Sequence, residues 1–368
     1  MKVALVHDYI KEYGGAERVL EALSEVYPQA LIYTAFCDKN STAYSRFKAK
    51  KIVTSWFNLL PFASKLASPL RFLTPLIWGG FNFSDYDLVI SSASWYITKG
   101  FKKEGDKFTE ICYCHTPPRW LYGYTTSVNF QKYKIVRLYA LIVGHFIRLY
   151  DFERAQKVDF FIANSKEVSE RIKKFYRREA TVVYPPVSLP KIPNVKKQDY
   201  YFIVSRIVGA KGLGLAVDAA LKGGFRLRIA GSPAGYYFEH DKLVKRAQGK
   251  VEFLGQVSDE ELAKLYKGAK GFLALSKDED FGITPVEAML SGTPVIAFNG
   301  GGYKESVIDG KTGVLFDDYS VDGLINAIKK FEKTNIKEED CIKQAENFSK
   351  ERFKAEIKEF VEKHARTS

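Results

Sequence analysis

The stretch EDFGITPVEAMLSGTPVIAFNGGG, residues 279–302, concentrates groups suited to an anionic, hydroxyl-rich ligand. Two carboxylates, Glu279 and Glu287, are separated by seven residues; the first sits at the mouth of a strand-to-helix turn and the second in the helix itself. Thr284 reads as the helix N-cap, Pro285 as its first residue and Glu287 as its third. T-x-x-E is also an ordinary capping box, which needs no ligand to explain it. That alternative covers Glu287 better than it covers the Glu279-Asp280-Phe281-Gly282 run. A helix start beside a glycine turn offers free N–H groups and the positive end of the helix dipole, so it suits an anion. Carboxylates on either side suit hydroxyls. A nucleotide-diphosphate sugar is anionic in its middle and hydroxyl-rich at both ends.

Three other stretches carry candidate groups. VSRIVGAKG places Arg206 and Lys211 after a strand, where a guanidinium fork and an ammonium point charge both suit phosphate, although isolated basic residues are more often surface charges. Gly14-Gly15-Ala16-Glu17 follows the first strand and opens a helix. A plain tight turn explains one of these glycines more easily than two, and no G-x-G-x-x-G supports dinucleotide binding. CYCHTPPRWLY puts His115 at the end of an apolar strand, followed by two prolines. A lone histidine is usually a packed or capping residue, but the carboxyl end of a strand is where ligands bind. Asp8, Arg119 and Trp120 are further candidates from the same strand ends.

The elements that must position these groups read as an α/β chain. Strand-like runs KVALVHDY, LIYTAF, KKIVTSW, DLVISSA, FTEICYCH and FFIANS fill the first half, with amphipathic helical runs such as 17–26 and 166–176 between them. YPPVSLPKIPNVKKQDY, residues 184–200, has four prolines and no periodicity and reads as a domain linker. The pattern then restarts with strands YFIVSR, RLRIAG, VEFLG, GFLALS, PVIAF and GVLF, and a helix opened by the Ser258/Glu261 capping box. The expected architecture is two Rossmann-like, doubly wound domains facing a central cleft, 1–186 and 199–347. A last helix, about 348–365, is expected to pack back on the first domain.

With 368 residues, two domains are the default, and 46% apolar content is ample for two cores. The four cysteines are too scattered for a disulfide framework, and Cys112 and Cys114 are not at a metal or redox spacing. No metal and no other cofactor is expected. The N-terminal MKVALVHDY reads as a strand rather than a signal peptide, and the longest apolar run, 135–150, is broken by Arg137, His145 and Arg148. The expected location is cytoplasmic. The net charge of +13 is uneven, because residues 1–190 hold 27 basic and 17 acidic side chains. Residues 41–80 contain six Lys or Arg and no acid, interleaved with Tyr44, Phe47, Trp56, Phe57, Phe62, Phe72 and Trp78. This composition suits an anionic membrane surface on the inner face of the cell membrane. A solvated face over core aromatics, or nucleic-acid binding, would account for it too. No recognisable nucleic-acid module accompanies the charge, so a nucleic-acid partner is not expected.

The 279–302 stretch, with its Phe-Gly, EAM, SGTPVIA and GG, resembles the E-x7-E signature of retaining glycosyltransferases of the GT-B fold, family 4. YDLVISSASWYITKG, ICYCHTPPRW, DFFIANSKEVSERIKKFY and VVYPPV together resemble the O-antigen mannosyltransferase subgroup, which uses GDP-mannose. The resemblance implies that Glu279 binds hydroxyls of the transferred sugar and Glu287 those of the ribose. It places Gly14 and Gly15 near the diphosphate and makes Arg206 and Lys211 the basic pair that neutralises it. His115 then hydrogen-bonds the donor sugar or the developing charge. Leu254, Phe281, Gly282, Ile283 and Thr284 fall on the donor side, and the 299–302 turn lies close to the sugar and phosphates. Pro117-Pro118-Arg119-Trp120 departs from the subgroup's usual P-M-R-Y, on the acceptor side. The implied reaction moves a hexose from a nucleotide sugar to a lipid-linked glycan, with the basic pair stabilising the leaving diphosphate. A UDP-sugar donor is the nearest alternative, and a basic nucleic-acid-binding protein the alternative of another class.

Overall fold

Strands buried on both faces read as continuous apolar runs, and they pair in parallel because helices must cover both sides. The computed structural model, which describes residues 1–124, 134–190, 192, 195–232, 237–247 and 249–365, has two such sheets in two units. Pro193 of the Pro-rich stretch and Gln248 of the helical DKLVKRAQ run lie outside the described residues.

In the first unit β1 (Val3–His7), α1 (Gly15–Val26), β2 (Leu31–Thr34), α2 (Thr42–Phe47), β3 (Ile52–Thr54), α3 (Ala63–Leu66) and α4 (Thr74–Gly79) come first. Then follow β4 (Leu88–Ala93), β5 (Thr109–Cys114), α5 (Lys134–Lys157), β6 (Phe160–Ala163), α6 (Lys166–Tyr176) and β7 (Ala180–Val182). All neighbours are parallel, in the order β3-β2-β1-β4-β5-β6-β7. The order reverses between β1 and β4, so the loops leaving those strands diverge and open a crevice at their carboxyl ends. His7 pairs with Ser92 across that seam.

The second unit, Val187–Ser349, contains β8 (Tyr201–Val204), α7 (Leu213–Gly223), β9 (Leu227–Ala230), α8 (Tyr237–Ala247), β10 (Val251–Gly255), α9 (Asp259–Gly268) and β11 (Gly271–Ala274). α10 (Ile283–Leu290), β12 (Val295–Phe298), α11 (Tyr303–Ser306), β13 (Gly313–Phe316), α12 (Val321–Lys333) and α13 (Glu338–Glu346) complete it. Its parallel sheet runs β10-β9-β8-β11-β12-β13, and the order reverses between β8 and β11. The chain therefore has two Rossmann-like domains.

The last helix, α14 (Lys350–His364), belongs to the first unit. Phe353, Ile357, Phe360 and Val361 recur at helical spacing and enter the core formed by Val3, Leu5, Leu20 and Ile162. Burying each of these side chains contributes about 1.5–3 kcal/mol, enough to hold a helix that would be marginal alone. Cys112, Cys114 and Cys341 are buried free thiols, and Cys37 is half-buried and also free.

Candidate functional site

The β8/β11 seam of the second unit assembles the acidic and basic candidates. After β8 the chain makes one 3-10 turn, Gly209–Lys211, and Gly212 follows with φ +71°. A Cβ at Gly212 would lie 2.6 Å from the Leu275 carbonyl oxygen, so only glycine lets this turn press against the end of β11. That approach delivers Lys211 Nζ to 2.7 Å from Glu279 Oε2. Tyr303 donates its hydroxyl to the same oxygen at 3.2 Å. Burial, with Glu279 beside it, holds that phenol protonated well above the ordinary tyrosine range. The glycine run packs backbone to backbone on the acidic loop. Gly301 has φ +55°, its Cβ would fall 2.3 Å from the Glu279 carbonyl oxygen, and Gly302 N–H donates to that carbonyl at 2.9 Å.

The start of α10 corrects the sequence reading. Gly282, at φ +86°, is the N-cap, and Ile283 is the first helical residue. Thr284 is then the second residue, Pro285 the third and Glu287 the fifth, so there is no Thr284 cap and no Glu287 capping box. The cause is tertiary: the Tyr303 ring covers Gly282 so closely that a Cβ there would lie 2.5 Å from the ring, and the helix begins immediately after the glycine. Pro285 costs nothing in the first turn, where backbone N–H groups have no intrahelical acceptor. The N–H groups of Ile283 and Thr284 remain at the positive end of the helix, beside Glu279 and Phe281. Glu287 is buried, and Tyr266 of α9 donates a hydrogen bond to its Oε2 at 2.7 Å. Phe281 is buried against Phe348. Leu254 is half-buried near the carboxyl end of β10, and Arg206 is exposed at the end of β8. Lys211 and Glu279 are thus brought together, with Arg206 five residues before Lys211 on the chain that leaves β8.

In the first unit the β1/β4 seam carries a chain of hydrogen bonds. Gly14 caps α1, and its N–H donates to Glu17 Oε2 at 2.9 Å. Glu17 Oε1 lies 3.4 Å from His7 Nε2, His7 Nδ1 lies 3.0 Å from Ser92 Oγ, and Ser92 Oγ lies 2.8 Å from His115 Nε2. A carboxylate only accepts, so the tautomer with the His7 proton on Nε2 is the one that fits Glu17. His7 Nδ1 then accepts from Ser92, and Ser92 Oγ accepts from His115 Nε2–H. His115 Nδ1 is left as an acceptor. Burial, with the His7 ring close by, pushes the His115 pKa down to about 3, so its imidazole is neutral at physiological pH. Gly15 lies in the first turn of α1, next to its cap.

Asp8 is placed differently. Its Oδ2 accepts from Ser94 N–H (3.1 Å), Ser94 Oγ (2.8 Å) and Trp95 N–H (2.5 Å), and its Oδ1 accepts from Thr98. It braces the 94–98 loop. Trp95 and Trp120, joined by an indole-to-carbonyl hydrogen bond of 3.4 Å, sandwich the Arg71 guanidinium at 4.7 and 4.8 Å. Arg119 is half-buried in the preceding turn.

Sequence reasoning missed His7, Glu17, Ser92, Tyr266 and Tyr303. His7 and Ser92 are polar residues in buried strands, and Tyr303 directly follows the glycine run; those were the available signals. Among the described residues no group of three or more His, Cys, Asp or Glu side chains is placed to hold a metal ion.

Residues 187–348 match the protein family described as "Glycosyl transferases group 1". An uncharacterized glycosyltransferase of Methanocaldococcus jannaschii is 29% identical over 157 residues, 43% of this chain and 45% of that protein. The D-inositol 3-phosphate glycosyltransferase of Mycolicibacterium smegmatis is 37% identical over 125 residues, 32% of this chain and 29% of the relative. The match thus spans less than half the length of these curated relatives. Among solved structures, Anabaena HepE in complex with UDP and glucose superposes with a TM-score of 0.73 at 19% identity, covering 98% of this chain and 99% of that one. The two-domain fold is that of these GT-B proteins.

Proposed function

We propose that the chain, whose second domain matches the group 1 glycosyl transferases, is a retaining hexosyltransferase. The donor is a nucleotide-diphosphate sugar, read as GDP-mannose, and the acceptor a lipid-linked glycan at the cytoplasmic face of the membrane. The second domain, 199–347, takes the donor, and the first, 1–186, takes the acceptor. One observation carries this reading: Lys211 and Glu279 meet at the end of the β8/β11 seam, against the N-terminus of α10. A cation and free N–H groups suit the diphosphate, and Glu279 suits the sugar hydroxyls. The buried Glu287 is assigned to the ribose hydroxyls, with Tyr266 orienting it. In the first domain, His115 offers neutral Nδ1 as acceptor for a sugar hydroxyl, with Asp8, Arg119 and Trp120 on the acceptor side.

The acceptor oxygen forms a bond to C1 of the sugar as the C1–O bond to the diphosphate breaks. The acceptor's proton passes to the departing phosphate oxygen on the same face, so no protein nucleophile is required and configuration is retained. Lys211, Arg206 and the helix N–H groups stabilise charge on the leaving group. Basic residues in 41–80, with Trp56, Phe62 and Phe72 exposed among them, support a membrane-surface location. Phe47, Phe57 and Trp78 from the same stretch are core residues. The free cysteines suit a reducing compartment.

The bound UDP of HepE favours a second reading, in which the donor is a UDP-sugar. Thermal unfolding with GDP-mannose, UDP-glucose and ADP-glucose separates them, because a ligand at about 100 times its Kd adds roughly 2.7 kcal/mol of stability. GDP-mannose is expected to give the largest shift. Glu279→Ala is expected to abolish transfer with the fold intact; wild-type transfer in that variant removes the assignment.

A further inference from the structure

α5 is apolar on two opposite sides. One side packs inward: Ile147 is buried with Ile97 and Leu121, with Val143 and Tyr150 beside it. Asp151, on the same side, is buried against Lys99. The other side carries Leu138, Leu141, Ile142, Phe146 and Leu149, between 51% and 70% exposed. These recur every three or four residues and, with the exposed His145 among them, make a mainly apolar stripe about 16 Å long at 1.5 Å per residue. A helix inside a water-soluble domain normally turns polar groups outward, and a contiguous exposed apolar stripe marks an interaction surface.

The stripe continues onto the neighbouring segment. Tyr139 Oη donates to the Pro69 carbonyl at 2.6 Å, tying α5 to the stretch where Leu59, Phe62, Phe72 and Leu76 are exposed. Charge decides what covers this surface. Lys134, Arg137 and Arg148 fall along one edge of the stripe on the helical wheel, and neither 134–150 nor 41–80 contains a carboxylate. A two-fold contact between copies would set this acid-free basic edge against itself. An anionic lipid surface meets both the apolar stripe and the cationic edge.

We propose that α5 lies in the plane of an anionic bilayer, with Leu138, Leu141, Ile142, Phe146 and Leu149 inserted below the headgroups. The inference deepens the membrane-surface reading of the previous subsection and rests on it for its purpose. Its test involves no sugar, so the two fail separately: a donor-induced thermal shift reports one and vesicle binding the other.

The full chain is sedimented with vesicles of phosphatidylcholine alone and of phosphatidylcholine mixed with phosphatidylglycerol. Wild-type protein is expected to bind the mixed vesicles and to lose binding on neutral vesicles or in high salt. The variant Leu141→Ser/Ile142→Ser/Phe146→Ser is expected to bind the mixed vesicles about tenfold more weakly, or weaker still, with its donor-induced thermal shift unchanged. Should that variant lose its fold, Phe146→Trp carries the test. Its additional fluorescence is expected to be quenched by brominated acyl chains. Undiminished binding of the triple variant, absence of wild-type binding, or no quenching at position 146 overturns the proposal. So does a triple variant whose one change is the loss of a dimer.

Discussion

Acidification tests the buried His115 network directly. An exposed histidine in the unfolded chain titrates near 6.5, whereas in the folded protein burial holds His115 at about 3. Between these values the unfolded chain binds the extra proton, so stability is intact above pH 6.5 and falls as the pH drops towards 3. At about pH 5 the loss from this one site is roughly 2 kcal/mol, from 1.36 kcal/mol per pH unit below 6.5. His115→Gln keeps a donor to Ser92 Oγ but has no such titration. All four tryptophans, Trp56, Trp78, Trp95 and Trp120, lie in the first unit with His115, so their fluorescence reports its unfolding. Urea titrations at about pH 7.5 and 5 should show the wild type losing about 2 kcal/mol more than His115→Gln over that interval. Equal losses in the two proteins would refute the desolvated imidazole assigned to His115.

Burial raises Glu110 to about 7, and its carboxyl accepts from Gly100 N–H (2.6 Å) and Phe101 N–H (2.7 Å). Its contribution therefore has the opposite sign, present in full below its unfolded value of 4.5 and lost as pH rises through about 7. Glu110→Gln should remove that slope and cost about 1–3 kcal/mol in urea unfolding, because the amide turns N–H groups towards a donor. Lys99→Met strands the buried Asp151 carboxylate and should cost about 3–5 kcal/mol, with much of it restored by adding Asp151→Leu. Gly301→Ala forces a side chain into left-handed backbone 2.3 Å from the Glu279 carbonyl oxygen, about 1–3 kcal/mol of strain. It should weaken the donor-induced thermal shift at least as much as it lowers the melting temperature; an unchanged donor response would separate the glycine run from the site.

What was legible in the chain was local. In the second domain all six sequence-read strands are present, because each is a short apolar run closed by glycine, proline or a cap. The Ser258 cap is also found, its hydroxyl accepting from Glu261 N–H at 3.2 Å. β7 was not read because Ala180–Val182 is too short to carry a period of two. α5 was not read because apolar residues on two sides erase the helical periodicity that betrays an amphipathic helix. The carboxylates, Lys211, His115 and the glycines were recognisable as types in a suggestive order. Their partners were not: Ser92 sits 23 residues from His115 and 85 from His7, and Tyr303 lies 24 from Glu279. The start of α10 shows the same division. Thr284 and Pro285 are valid local cap signals, but the Tyr303 ring over Gly282 sets where the helix begins. Periodicity, caps and turns act over a few residues and are therefore written in the local chain. Which strands became neighbours, and so which side chains met at the two seams, was decided by packing between residues distant along the chain.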